Sequence, residues 1–573
     1  MELTHRSIRA RRTAALVAAA AAAALALPGA ASAAVTGTVT GNTATLTGDA
    51  SADTIIISQD NGLLQHNLGT ATGFESASDF DSATAGEQTL TDDGTLTING
   101  GGGDDIITGG PNADNIDGGD GSDRLTGFRG NDTKTGGPGN DVFIWNNGDG
   151  TDTDDGGDGV DEQIMNGRNT TDDMTVANIA GGRVRFDRLA PGAFGLDMGT
   201  IERLTINSFA GDDKLVTAAG VTLPITVDAG PGNDAITTGD AADLVQGGEG
   251  VDTLNGGAGG DRILGNPGND VMNGNAGDDV LVWNNGDGTD DMNGEDGLDR
   301  IEDNLGAADD VSALTVLNGK VRYDRTNAPF GLNIATSEVF ELNTFGGNDT
   351  LDVAPGVGAL ISVVADAGAG DDRFTGSDGP ETFFGGSGND TLDGGAGLGD
   401  VVDGQEGDDV LTVRDGAADL ARGGIGTDTA TADFADVLVD VENRDVSAGP
   451  DTQGTAARVL TRRVTSKLKR GRYTAKIRVE CPASEAGGCA GTLALHTARK
   501  INVRGAKVNV VVASKRFNLR GAQRRTLRVR LPKRVRALSR RGTLRLRATT
   551  TSRDAAGNVA QRSSRLTVKL VRR

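Results

Sequence analysis

Aromatic residues make up only 3% of this 573-residue chain, with two tryptophans and two tyrosines. That scarcity excludes a core built on large rings and leaves few side chains to stack on nucleic-acid bases. Histidine is scarcer still: beyond the N-terminal leader only His66 and His496 remain. No HExxH or G-x-S-x-G segment occurs, which argues against a zinc protease or a serine hydrolase. Cysteine occurs twice, at Cys481 and Cys489, which is half a zinc site at most. In an exported chain the pair is expected to form one local disulfide that closes a hairpin loop. Past residue 33 there is no long apolar run, so no transmembrane anchor is expected.

Glycine and acid are what the chain has in excess. Glycine supplies 88 residues, and the formal net charge is −26. The charge is divided: residues 35–454 carry net −59 and residues 455–573 net +30. High charge with few hydrophobes reads as disorder unless a periodic pattern or a counter-ion supplies what the core does not.

Residues 1–33 read as a secretory signal peptide. Arg6, Arg9, Arg11 and Arg12 precede an apolar run from Ala14 to Leu27, and Ala31-Ser32-Ala33 offers a small-residue cleavage site. The run is too short to span a bilayer, which takes about 20 residues. Export to the cell surface or exterior of a bacterium is therefore expected, by the general or the twin-arginine route.

A nine-residue period organises the acidic body. From Gly100 the chain reads GGGGDDIIT, GGPNADNID, GGDGSDRLT, GFRGNDTKT, GGPGNDVFI. It resumes from Ala229 as AGPGNDAIT, TGDAADLVQ, GGEGVDTLN and onward, and from Ala367 as AGAGDDRFT. The consensus is G-G-x-G-x-D-x-U-x, where U is a large apolar residue. A slower period overlies it: WNNGDGTD recurs at 145 and 283, and RVRFDR at 183 returns as KVRYDR at 320. Between the nonapeptide blocks lie stretches with strand-like alternation. The expected division is three modules, 34–166, 167–304 and 305–446, then a linker at 447–457 and a basic domain at 458–573.

Six Gly-rich residues turn the chain and three form a short strand with U facing inward. Stacked turns place their sixth-position aspartates in a row, where bare carboxylates would repel. A hard divalent cation relieves the repulsion, and calcium, which accepts six to eight oxygens in flexible geometry, fits better than magnesium. With no Cys or His in the rows, softer metals are disfavoured. The candidate ligands are Asp105, Asp114, Asp123, Asp132, Asp141, Asp152 and Asp161 in the first block. The second block supplies Asp234, Asp243, Asp252, Asp261, Asp270, Asp279, Asp290 and Asp299, and the third Asp372, Asp390, Asp409 and Asp428.

On these nonapeptides the chain resembles the RTX (repeats-in-toxin, haemolysin-type) calcium-binding proteins over most of 100–164, 229–302 and 367–431. The resemblance implies a parallel β-roll, multiple Ca2+ ions in the turns, sixth-position aspartates as side-chain ligands and turn carbonyls as further donors. Three departures weaken it locally: Lys134 stands at a U position, Glu381 replaces an aspartate, and Gly399-Asp400 is out of register. The cleavable leader and the basic C-terminus also depart from family members exported by a type I system.

In the basic domain Tyr473, Ala475, Ile477 and Val479 alternate with polar residues, as do Leu527-Val529-Leu531 and Leu566-Val568-Leu570. Period two with intervening turns predicts a small antiparallel β-sandwich. Asp554–Asn558 before the final run resembles the last hairpin of bacterial Ig-like or fibronectin-III-like domains. The charge of this domain suits an anionic cell-envelope polymer; nucleic acid is not an expected partner of an exported protein. The predicted fold is thus all-β: a calcium-dependent β-roll or β-solenoid followed by a sandwich. The expected role is structural or adhesive and not enzymatic, the alternative being a polysaccharide lyase or epimerase on a β-solenoid. Tyr323 is the lone tyrosine of the body, and nothing in the surrounding sequence marks a catalytic cluster about it.

Overall fold

A computed structural model describes residues 35–68, 74–328, 330–433, 435–446, 458–467, 473–481, 489–497, 501–503, 506–508, 511–520, 523–531, 543–553 and 559–571. The expected leader at 1–33, the expected linker at 447–457 and the segment 554–558 lie outside the described residues. Those described are all β apart from two short 3-10 turns, Ala180–Gly182 and Val357–Ala359. No described helix is long and apolar enough to cross a membrane.

Each regular nonapeptide makes a three-residue strand, such as Ile106–Thr108, Asn115–Asp117 and Arg124–Thr126. The middle residue of each is buried: Ile107, Ile116 and Leu125 are wholly inaccessible. Consecutive strands fall in different sheets. Ile107 pairs in parallel with Leu125, and Ile116 with Lys134, so one coil takes two nonapeptides, 18 residues. Two sheets of 23 and 18 strands result, with apolar side chains between them. Most of these inward residues are aliphatic, with Trp145, Trp283, Tyr323 and several phenylalanines among them.

The alternating stretches between blocks have a specific architecture. In the second sheet, pairing stays parallel through them, from Glu162–Asn166 to Arg203–Asn207 and from Arg300–Asn304 to Val339–Asn343. In the first sheet a meander intervenes. Asp152–Asp158 pairs in parallel with Phe194–Gly199, which is antiparallel to Val184–Ala190. Val184–Ala190 is in turn antiparallel to Asp173–Asn178, which returns to parallel pairing with Lys214–Thr217. The same order recurs through Phe330–Ala335, Lys320–Arg325 and Val311–Leu317. One apolar cluster runs from Trp145 to Val441, and another covers residues 35–143.

This accounts for the slow period. Trp145 stacks on Phe194 at 3.7 Å, and Trp283 on Phe330 at 3.9 Å. Each indole donates to a turn carbonyl, Gly150 or Gly288, at 2.9 Å. Arg188 and Arg325 lie over the Phe rings and bond Asn147 and Asn285. WNNGDGTD and the Arg-rich strand are therefore two halves of one joint.

Among its described residues the basic domain forms a three-stranded, a five-stranded and a two-stranded sheet, with a core that includes Tyr473, Ile477, Leu493 and Val568. Its pairings are antiparallel except Arg463–Lys467 with Val559–Val571, which is parallel. Cys481 and Cys489 are disulfide-bonded. They do not close a hairpin as expected. Tyr473–Glu480 belongs to the three-stranded sheet and Cys489–Thr497 to the five-stranded one, so the bond ties one sheet to the other.

Candidate metal-binding ladders

Because each coil holds two turns, the aspartates form two ladders on opposite edges rather than one row. Asp105, Asp123, Asp141 and Asp161 stand on one edge; Asp114, Asp132 and Asp152 stand on the other. Each rung is tied to the next by its own backbone. The Asp105 N–H donates to Asp123 Oδ1 at 2.8 Å, Asp123 to Asp141 at 2.7 Å and Asp141 to Asp161 at 2.8 Å. Asp234, Asp252, Asp270 and Asp290 repeat this in the second block, and Asp243, Asp261, Asp279 and Asp299 on the opposite edge. Asp372, Asp390, Asp409 and Asp428 do so in the third. All nineteen candidate aspartates are buried.

The second oxygen decides what a rung can do. Oδ2 of Asp105, Asp123, Asp132, Asp141 and Asp161 is buried without a hydrogen-bond partner. The same holds for Asp234, Asp252, Asp261, Asp270, Asp279 and Asp290, and for Asp372, Asp390, Asp409 and Asp428. A buried carboxylate oxygen lacking a donor is costly, and a column of them on neighbouring coils is more so. The pKa values reflect this. Burial pushes Asp252 up to about 6, and burial with the charges of Asp279 and Asp243 pushes Asp261 up to about 8. A hard cation satisfies such an oxygen and removes the repulsion in one step.

The glycine phases follow from this geometry. A Cβ on Gly265, five residues before Asp270, would lie 2.4 Å from Asp270 Oδ2. A Cβ on Gly277, at the fourth position, would lie 1.1 Å from the Gly259 carbonyl oxygen of the preceding coil, and Gly277 has φ +158°. First-position glycine makes room for the carboxylate, and fourth-position glycine lets successive turns stack.

Two candidates differ. Asp114 and Asp243 follow turns without the fourth glycine, where Asn112 and Ala241 stand. Their Oδ2 atoms accept the N–H of Gly110 at 2.6 Å and Gly239 at 3.1 Å, so these rungs are already closed. Asp152 is engaged differently. Lys134, wholly buried at its U position, places Nζ 2.8 Å from Asp152 Oδ2 and 3.2 Å from Asp154 Oδ1. Burial alone would lower the Lys134 pKa, but Asp154 and Asp152 hold it above its ordinary value. At the joints Arg188 lies 3.6 Å from Asp172, and Arg325 pairs with Asp310. An internal cation thus faces the acid at each of these three places.

Asp213 and Asp349 were not among the sequence candidates yet have the same geometry, with buried, unpartnered Oδ2 atoms. The signal was present: Gly211 and Gly347 hold the fourth position in SFAGDD and TFGGND. Glu381 keeps its place but is satisfied on one side by Ser377 at 2.5 Å. Tyr323, contrary to the bare sequence, does have polar company in Asp303, Asp310 and Arg325, all sealed inside the core.

Comparison with protein families matches the RTX calcium-binding nonapeptide repeat (4 copies) at residues 97–114, 108–143, 228–263, 246–281 and 366–398. All three nonapeptide blocks are touched by these matches. No curated protein matches the chain.

Proposed function

The RTX nonapeptides are calcium-binding repeats, and from that premise we propose that the protein is exported, binds several Ca2+ ions along its two ladders, and folds as it binds them. The observation that carries this reading is the column of buried, unpartnered Oδ2 atoms facing first-position glycines. The sixth-position aspartates with such an oxygen would be the side-chain ligands. Calcium would supply the positive charge that the −59 body lacks, so ion binding and folding free energy would be one quantity. Millimolar calcium outside the cell would fold the chain after export.

The biological role in this proposal is structural or adhesive, at the cell surface or beyond it. The ladder aspartates are buried, and Tyr323 with its polar neighbours is inaccessible to a polymer substrate. The basic domain would hold the protein to an anionic envelope polymer. Circular dichroism of the purified chain in EDTA and in calcium tests the central claim: β-structure should appear with calcium, and unchanged spectra would overturn it. Glycan turnover by the same preparation would favour the enzymatic alternative. Retention on isolated cell walls at low salt, lost at high salt, tests the role of the basic domain.

A further inference from the structure

The final coils break the ladder pattern in a particular way. The turn leading to Asp419 has Arg414 and Asp415 at its first two positions and Ala417 at the fourth, where regular turns have glycine. Several other turns without the fourth glycine close the rung with the N–H of the second residue, as Asp49 does on Asp53 and Gly239 on Asp243, and the one leading to Asp310, with Ala308 fourth, is met by Arg325 instead. Here Asp419 Oδ2 receives no hydrogen bond. Its other oxygen accepts the N–H groups of Gly399 at 2.7 Å and Asp400 at 3.0 Å. Asp400 Oδ1 accepts the Glu381 N–H at 3.0 Å, and Asp400 Oδ2 is also without a partner. Asp400 and Asp419 are 1% and 5% exposed.

Into this place the second-position side chain brings a third carboxylate. One oxygen from each of Asp400, Asp415 and Asp419 lies within 4.8 Å of the other two. The adjacent cation is not used: Arg414 turns to the Ala432 carbonyl and to Asp445, each at 2.9 Å. A cation of charge two or more would satisfy two buried, unpartnered oxygens and relieve the repulsion among three converging acids. Oxygen donors alone select a hard ion.

We propose that Asp400, Asp415 and Asp419 form a discrete calcium site at the C-terminal end of the solenoid, tighter than the turns of the regular ladders. The comparison of affinities rests on the proposal that the ladders bind calcium. The reason for the tighter binding is ligand charge. A regular turn offers its sixth-position carboxylates and neutral carbonyls, whereas this site adds an acid where the consensus has glycine, and calcium affinity rises with carboxylate count. Such a site would load first as calcium rises.

Calorimetric titration of the full chain with calcium tests this against Asp415→Asn and Asp415→Gly. The parent should show one tight site above a weaker, more numerous class. Both variants should weaken the tight site at least tenfold and leave the weaker class unchanged. Asp415→Asn preserves shape, and Asp415→Gly restores the residue found at the second position before Asp114 and Asp243; circular dichroism in excess calcium confirms that both fold. A tight site that persists in both variants overturns this inference alone. A parent that binds no calcium overturns it together with the ladder reading.

Discussion

The N–H of Asp261 donates to Oδ1 of Asp279 at 2.8 Å, although 18 residues separate the two. Two buried carboxyls are thus held at a fixed distance by the backbone of one of them. Burial and the charges of Asp279 and Asp243 push Asp261 up to about 8, and burial pushes Asp279 up to about 6.

A pH dependence follows. Both carboxyls hold their protons more tightly folded than unfolded, where their pKa is about 3.9. Folding without metal therefore takes up protons between about pH 4 and pH 8, and metal-free stability is present below that window and lost as pH rises through it. With calcium the deprotonated form is the one bound, so the stabilisation by calcium should grow across the same window. Urea melts at pH 4.5, 6 and 8, with EDTA and with calcium, measure both slopes; a metal-free fold that strengthens from pH 4.5 to 8 contradicts the ladder electrostatics.

Open and closed rungs should separate on substitution. Asp252→Asn alters a carboxylate with an unpartnered Oδ2, whereas Asp243→Asn alters one already closed by Gly239. The expected result is one fewer calcium bound in the first and an unchanged number in the second, read by equilibrium dialysis. Equal losses would refute the distinction.

Lys134→Met should be costly despite restoring an apolar U residue. It strands Asp152 and Asp154 in the core, and breaking a buried ion pair costs roughly 3–5 kcal/mol. Replacing Asp154 by Leu in the same chain should recover a large part of the loss. Urea denaturation in saturating calcium gives both numbers.

Asp303 and Tyr323 are polar where the preceding joint has Met165 and Phe186. Both carboxylate oxygens of Asp303 and the Tyr323 hydroxyl are buried without a hydrogen bond of good geometry, although the hydroxyl lies beside Asp303 and Ser312. The double change Asp303→Met with Tyr323→Phe should stabilise the chain by about 1–3 kcal/mol, since it removes unsatisfied polar groups and copies a packing the protein already uses. A thermal melt that falls rather than rises would count against this.

The nonapeptide phase, the inward U residues and the all-β class were legible because each is local: nine residues contain the turn, the strand and the buried position. What escaped was set by contacts 18 or more residues away. Asp105 and Asp114 look like neighbours in the sequence but stand on opposite edges, since a strand pairs with the next but one. That Asp114 is closed and Asp123 open depends on whether Gly121-like residues occupy the fourth position, a role visible only once that glycine is seen against the carbonyl of the preceding coil. Lys134 was recognisable as an anomaly, and Asp154 stands at the same apolar position of NGDGTDTDD, but that the two lie side by side on paired strands depends on which strands pair. The joints were evident as a repeat spaced by 138 residues, yet nothing local indicated that one sheet would reverse direction there while the other continued.

The backbone link from each rung to the next spans 18 residues in most coils, but 20 between Asp132 and Asp152, 23 between Asp349 and Asp372 and 41 between Asp172 and Asp213. Register is held at the rung and not by the length of chain between rungs. Extra residues are absorbed sideways, as a longer loop or a whole meander, without displacing the coils beyond. A gene encoding such a chain can gain or lose sequence between aspartates in unequal amounts and still specify one uninterrupted stack, which makes the size of this protein an adjustable trait.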